Sequence, residues 1–417
     1  MGDNVKQVLI IGAGAAGLMA AATAAEAGAQ VTVLEKMNAP GRKLLITGKG
    51  RCNITNACDI PELIKNMPGN GRFLHSVYRA FNNHDLIAWL NRHGVETKIE
   101  RGGRVFPVTD KAADVVSAFV RVLGKYDVRL LTGQSVRRLT FTDGRITGAD
   151  TDQATYMADA VIITTGGASY PGTGSSGDGY KLAKQAGHSV TAIKPSLVPL
   201  EVSEEWIGEL QGLSLKNVAA TALVNGKKVA DDFGEMLFTH YGLSGPIILS
   251  LSKFVAEALE RGEQDVMIEI NLKPALTAET LDKRIQRDWE KFSRKQVKNS
   301  LGELLPAKLI PVIIDLAFLD PEKFINQITK VERQRMLHLL QHFSLSITRT
   351  RPVSEAIVTA GGVSIKEVNP ATMESKLVDN LYFAGEVLDI DGYTGGYNLQ
   401  AAFSTGYAAG KAAAAVE

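Results

Sequence analysis

Residues 12–17 read Gly12-Ala13-Gly14-Ala15-Ala16-Gly17, with glycine first, third and sixth. This spacing suits a chain that turns out of a strand, passes close to a pyrophosphate and opens a helix. Gly12 would make the turn, Gly14 would admit the phosphates, and Gly17 would let the helix pack against the strand. The helix start would present unpaired N–H groups and the positive end of its dipole to the phosphates. Glu35, 23 residues beyond Gly12, can accept hydrogen bonds from the hydroxyls of a ribose. Such an acid favours a free 2′-hydroxyl, as in FAD or NAD, over the phosphate of NADP.

The flanking residues supply the elements that this chemistry needs. Val8-Leu9-Ile10-Ile11 is an apolar run of strand type, an alanine-rich helical stretch follows to Ala27, and Gly28 stands where that helix would end. Gln30 to Leu34 makes a second strand, closed by Glu35. From Val8 to Leu34 the only charge is Glu26, a pattern that could pass for a targeting or membrane segment. Its glycines interrupt it, and Asp3 stands against Lys6 ahead of it in place of a basic cluster. The stretch reads as a buried βαβ unit.

Later segments decide between the dinucleotides. Lys36 follows the ribose acid, then Pro40-Gly41-Arg42-Lys43, then Gly48-Lys49-Gly50-Arg51-Cys52-Asn53-Ile54-Thr55-Asn56. A loop so rich in glycine, cations and amides suits a long ligand with a second ring system. Ala158 to Gly167 reads as a strand ending in Thr164-Thr165-Gly166-Gly167. Asn380 to Glu386 is another strand, ending in Gly385-Glu386. Asp391-Gly392-Tyr393-Thr394-Gly395-Gly396-Tyr397-Asn398 follows, then a helix from about Leu399 to Ala414. An acid for ribityl hydroxyls and a helix start for the electron-rich pyrimidine edge suit a flavin.

In these segments the chain resembles the bacterial aminoacetone oxidase-like FAD flavoproteins, the BaiN/YhiN-type NAD(P)/FAD-dependent oxidoreductases. Gly103-Arg104-Val105-Phe106-Pro107, the run from Phe238 to Pro246, and Gly361-Gly362-Val363 extend the likeness across nearly the whole chain. The resemblance implies one non-covalent FAD, a three-part architecture and a cytoplasmic redox enzyme, with NAD(P)H a candidate electron donor. It also implies backbone contacts from Val136 to the adenine. The FAD residues expected are Gly12, Ala13, Gly14, Ala15, Ala16 and Gly17, then Glu35, Lys36, Arg42 and Lys43. Gly50, Arg51, Cys52, Asn53 and Thr55 follow, with Val136, Thr165, Gly166, Gly167 and Asp178. Gly385, Glu386, Gly395, Gly396, Tyr397 and Asn398 complete the set.

Other signals carry less. Gly172 to Gly177 repeats the glycine spacing, but Pro171 intervenes after the strand and Lys194 stands where an acid would. That loop is therefore given to the flavin site, with Asp178 capping the helix to Ala186. Cys52 and Cys58 have five residues between them and no His-Pro accompanies them, so Cys52 reads as packing beside the cofactor and not as half of a redox disulfide. His338 and His342 lack a third ligand, and no metal is expected. Glu279 to Lys298 carries seven Lys/Arg against four Asp/Glu, read as a solvated face. His240-Tyr241 precedes a helix start at Gly242 to Pro246, capped by Ser244 or Gly245. The pair is either a structural turn or faces the flavin. His240 and Tyr393 are the candidate acid–base groups.

The chain has 417 residues and 40 glycines, where average usage gives roughly 29. The segments assigned above hold more than that excess. Net charge is +1, so nothing in the charge balance argues for nucleic acid or an anionic membrane as partner. A small molecule is the expected substrate, and two cysteines suit a reducing cytoplasm. The expected fold is α/β: a discontinuous Rossmann-like FAD-binding domain at 1–193 and 348–417, a β-rich insert at 194–274, and a helical subdomain at 275–347. The expected activity is hydride transfer between flavin N5 and a small organic substrate or NAD(P)H. A flavin-dependent RNA-modifying protein and a non-catalytic flavin sensor are the alternatives.

Overall fold

The computed structural model describes residues 5–415, which form two compact units. One joins the chain up to Ser196 with the chain from Val353 onward, and the other is Leu197–Pro352.

The first unit is built on a five-stranded parallel sheet. Its spatial order is Leu381–Phe383, Ala160–Ile163, Gln7–Ile11, Gln30–Glu35, Arg129–Thr132. The runs VLII, VLE and AVII are buried on both faces, as a parallel sheet covered by helices requires. The chain moves outward from the first strand to Gln30–Glu35 and Arg129–Thr132. It then returns to add Ala160–Ile163 on the other side of the first strand. That reversal makes a switch point at the carboxyl ends of Gln7–Ile11 and Ala160–Ile163, where ligands bind in open α/β sheets. The residues that follow these two ends are Gly12 and Thr164, and Thr164 Oγ1 donates to the Gly12 carbonyl at 2.8 Å.

Helix Ala15–Glu26 buries ten of its twelve residues, so it needs neighbours all round and carries no polar face. Small residues allow this. A Cβ on Gly17 would stand 1.9 Å from the Gly12 carbonyl oxygen. The C-terminal helix Tyr397–Ala414 approaches as closely: Cβ atoms on Gly406 and Gly410 would lie 2.3 and 2.4 Å from the carbonyl oxygens of Ala16 and Ala20. The hairpin Val136–Thr142 and Arg145–Thr151 turns at Asp143-Gly144, both at positive φ, the twist that a two-residue hairpin favours.

The second unit is a closed six-stranded barrel. Its spatial order is Leu200–Val202, Gly242–Ser244, Lys227–Phe238, Ser214–Val224, Val266–Asn271, Phe343–Thr350, paired antiparallel throughout. Helix Pro246–Glu260 starts with Gly245 as cap and Pro246 at its first position. Its Ile247, Ile248, Leu251 and Val255 share one core with the barrel residues Ala220, Ile268 and Leu345. The helices Ala278–Lys291 and Lys330–Gln341 add Leu281, Ile285, Met336 and Leu340 to that same core. Among the described residues no helix is long and apolar enough to cross a membrane.

The helix–helix approach yields a stability prediction. Gly406→Ala and Gly410→Ala should each destabilise the protein by about 1–3 kcal/mol, because backbone must move to admit the methyl group. A shift of the urea midpoint to lower concentration would show it, and an unchanged midpoint would refute the contact.

Candidate functional site

The switch point gathers the expected residues of the first unit. Gly12 holds φ +105°, and a Cβ there would lie 2.8 Å from the Thr164 carbonyl oxygen. Gly14 differs in kind: a Cβ on it would meet nothing within 4 Å. Glycine at 14 therefore keeps space free outside the helix mouth, as a pyrophosphate requires. Glu35 is buried, and its two carboxylate oxygens accept from the backbone N–H groups of Ala13 and Met37, each at 2.8 Å. The acid is thus oriented by the fingerprint turn itself. The Gln134 and Gly133 N–H groups donate to the carbonyls of Glu35 and Met37, at 2.9 and 3.0 Å. They bring the chain before Val136 alongside this end of the site.

Loop 47–56 has an unusual backbone. Gly48, Lys49, Gly50 and Cys52 all take positive φ. Arg51 holds the loop in place: Nε donates to Asp110 Oδ1 at 2.8 Å, Nη2 pairs with Glu100, and the guanidinium lies 4.2 Å from the Phe106 ring centre. Lys98 adds a bond of 2.7 Å to Asp110. Hydrogen bonds from Arg51 hold Glu100 below the usual carboxylate range, and bonds from Lys98 and Arg51 do the same for Asp110. Arg51 thus serves the site by shaping this loop. Burial pushes the Cys52 thiol up to about 12 against a hydrogen bond from Thr47. Burial and then Glu62 push Cys58 up to about 11. Both are free thiols.

The C-terminal turn closes on this loop. A Cβ on Gly396 would lie 2.4 Å from the Thr55 carbonyl, and Asn56 Nδ2 donates to the Gly395 carbonyl at 3.2 Å. The Thr55 hydroxyl points into the core and donates to Gln400 Oε1 at 2.6 Å, and its backbone pairs with Val105 in the strand Arg104–Pro107. The Asn398 amide accepts from Gly392 N–H at 2.8 Å and donates to the carbonyls of Gly392 and Tyr393. It ties that turn to the helix start. Tyr397, its hydroxyl pushed up to about 12 by burial, packs its ring on Gly395. Glu386 accepts from Lys43 Nζ at 2.7 Å, from Thr359 N–H at 2.9 Å and from Ser169 Oγ at 3.1 Å. Three acceptor positions of the expected ribityl acid are therefore used inside the protein.

One expectation needs correction. Asp178 does not cap its helix. Gly177 is the N-cap, at φ +78°, and Asp178 is the first helical residue of Asp178–Gln185. Its carboxylate is drawn instead to Lys36 Nζ at 2.7 Å and Ser176 Oγ at 2.8 Å. Arg42 donates to Asn38 Oδ1 at 3.0 Å. Gly166 and Gly167 lie at the start of the same loop, where a Cβ on Gly167 would meet Thr359 Oγ1 at 2.4 Å. Thr359, Ser169, Gln400, Glu100 and Asp110 complete these clusters. None of them stands out by type or spacing in the sequence.

The acid–base candidates fall in different units. Tyr393 is half-buried in the first, its N–H on the Asn66 carbonyl at 3.0 Å. His240 is exposed in the barrel turn of the second, edge-on to Tyr241 at 4.8 Å. His338 and His342 stack at 4.7 Å, and His342 faces Glu269. Among the described residues no group of three or more His, Cys, Asp or Glu could hold a metal.

A flavin dinucleotide fits what the first unit offers. Space stands open at Gly14, and the buried polar atoms without a protein partner among the described residues include two on expected cofactor residues, Asn53 Oδ1 and Thr165 Oγ1. Each such atom costs about 1–3 kcal/mol unless something bonds to it. The HI0933-like protein Rossmann domain family matches residues 6–412. The chain is 33% identical over 414 residues to a 3-dehydro-bile acid delta(4,6)-reductase of Clostridium scindens, covering 98% of this chain and 99% of that one. It is 32% identical over 400 residues to a ribosomal RNA dihydrouridine synthase of Escherichia coli, covering 96% of each. Two solved structures share the fold. A flavocytochrome c3 fumarate reductase does so at TM-score 0.54 and 17% identity, covering 99% of this chain and 78% of that one. A 3-ketosteroid-delta4-(5alpha)-dehydrogenase from Rhodococcus jostii RHA1 does so at 0.54 and 15%, covering 99% and 98%.

Two outcomes follow. Gly14→Val should fill the pyrophosphate space and yield colourless protein, read as lost absorbance near the flavin maximum; a yellow variant would refute the placement. At pH 8 a thiol of pKa about 12 is ionised about once in ten thousand, so Ellman's reagent should leave native Cys52 unreacted. With the fingerprint turn, its oriented acid and the closing C-terminal helix in one unit, the chain belongs to the HI0933-like family of FAD-binding Rossmann proteins and is an FAD-dependent oxidoreductase.

Proposed function

We propose that this enzyme reduces a carbon–carbon double bond conjugated to a carbonyl group. One observation carries the reading. Two of the full-length relatives, a delta(4,6)-reductase of a 3-dehydro bile acid and a dihydrouridine synthase, have that single chemistry in common. Bound FAD would supply the hydride from N5 of its reduced ring.

The chain's own residues would do the rest. The helix mouth at Gly12–Gly17 would hold the pyrophosphate and Glu35 the adenosine ribose. Backbone near Val136 would meet the adenine. Loops 47–56 and 395–398 would hold the ring, with Asn53 and Thr165 supplying their unpartnered oxygens. The positive end of helix Tyr397–Ala414 would favour the negative charge that builds on the pyrimidine edge. Hydride would go to the carbon β to the carbonyl and a proton to the α carbon, with Tyr393, in the same unit as the cofactor residues, as donor. NADH or NADPH would return the electrons.

The substrate class favoured is a small enone. The basic stretch that could bind RNA is largely neutralised. Lys283 pairs with Glu279, Arg284 and Arg287 with Asp288, Lys291 with Glu303, and Lys298 with Glu322. Five of its seven cations are thus engaged, which leaves little free charge for a phosphate backbone. Uracil within RNA is the second reading, and it rests on the curated relative from Escherichia coli.

The deciding experiment is anaerobic. NADH or NADPH should bleach the flavin, and a cyclic enone or a 4,6-dien-3-one steroid should restore its colour. Restoration by ribosomal RNA alone would select the second reading. No restoration by either would overturn both.

A further inference from the structure

Residues Thr164 to Gly177 form a strap between the strand Ala160–Ile163 and the helix Asp178–Gln185. Its near end is bound firmly. Ser169 is wholly buried, accepts from Lys43 Nζ at 2.7 Å and donates to Glu386 at 3.1 Å, while Ala168 N–H donates to Thr359 Oγ1 at 2.9 Å. Its far end is held differently. The Lys36 ammonium bridges Asp178 Oδ2, at 2.7 Å, and Ser176 Oγ, and Lys36 and Asp178 keep 25% and 34% of their side chains exposed. Between the two ends the strap reaches the ribose acid: a Cβ on Gly174 would lie 3.0 Å from Met37 Cγ and 3.8 Å from Glu35 Oε1.

We propose that Lys36 and Asp178 are the releasable fastening of this strap, which closes over the adenosine end of the cofactor and sets how fast FAD leaves. The inference rests on the adenosine ribose lying at Glu35. Both fastenings use a lysine from the segment just after that acid, so strap and ribose acid are clasped at two points. They differ in strength for a physical reason. A partly exposed ion pair contributes little and is screened by salt. Lys43 and Glu386, at 23% and 20% exposure, gain little more from theirs, but the near end adds the buried Ser169 hydroxyl and the Ala168 N–H bond to buried Thr359, which salt does not screen. Gly174 and Gly177, both at positive φ, give the strap its bends near the far end. Opening therefore begins at Lys36 while Lys43 stays bound. Lys36 is a positioning residue here: its charge holds protein to protein across the ligand's path.

FAD release from the holoenzyme tests this, followed by the rise in flavin fluorescence after dilution at low and at high salt. Wild-type release should quicken with salt. Asp178→Asn and Lys36→Met should release FAD about two- to fivefold faster at low salt and lose the salt dependence. Lys36→Arg, which keeps the cation, should restore both rate and salt dependence. Wild-type release that ignores salt, or variants that match wild type at every salt concentration, would overturn the strap. Glu35→Ala separates this from the placement of the cofactor. If that change leaves FAD affinity intact, the placement fails. If it weakens FAD while Asp178→Asn releases it at the wild-type rate, only the strap fails.

Discussion

Around Gly12 backbone lies against backbone, and the first unit is organised by that contact. The helix Ala15–Glu26 can sit on the turn only because Gly17 has no side chain, and the C-terminal helix can sit on that helix only because Gly406 and Gly410 have none. Three absent methyl groups set the distances between the central strand, the fingerprint helix and the closing helix. Those distances fix where the helix mouth points and how far it stands from Glu35. An enzyme that leaves the chemistry to its cofactor must position it well, and here position is set by close packing of the main chain.

Charge in the site is arranged by the same economy of means. Arg51, Lys36, Lys43, Glu386 and Glu35 all look like ligand-binding groups in the sequence, yet each is bonded within the protein. These bonds orient loops whose backbone and amides remain for the ligand. A preorganised site of this kind loses little on binding, because its groups are already held in place. Asn53 Oδ1 and Thr165 Oγ1, two of the four buried polar atoms of the first unit without a partner among the described residues, mark where that internal satisfaction stops.

Local order was legible in the sequence, and long-range order was not. The fingerprint turn, the alanine-rich helix that stops before Gly28 and the strand Gln30–Glu35 depend on neighbours a few residues away. Composition and periodicity report such neighbours directly. The bonds of Lys43 to Glu386 and of Thr55 to Gln400 join residues more than 300 positions apart, and no spacing rule reaches that far. Asp178 shows how the two scales conflict. An Asp at a helix start reads as a cap, but Gly177 takes the cap position and the distant Lys36 claims the carboxylate. Closure of the barrel was equally hidden. The β-rich insert expected at 194–274 leaves out the strand Phe343–Thr350, and only the pairing of that strand with Leu200–Val202 makes a ring.

The flavin sheet gains its edge strand, Leu381–Phe383, from the far side of the whole second unit. During synthesis the chain therefore makes Gln7–Ile11 and Ala160–Ile163 early, and the outer edge of Ala160–Ile163 stays unpaired until Phe383 has emerged. The barrel has no such delay, because all its strands lie between Leu200 and Thr350. Contacts of long sequence separation form late, and domains fold as units on the ribosome. The second unit, inserted in the sequence, thus comes first in time. The cofactor site is completed only when the turn at Gly395-Gly396 and the helix Tyr397–Ala414 have emerged, long after its Gly12–Gly17 end has been made.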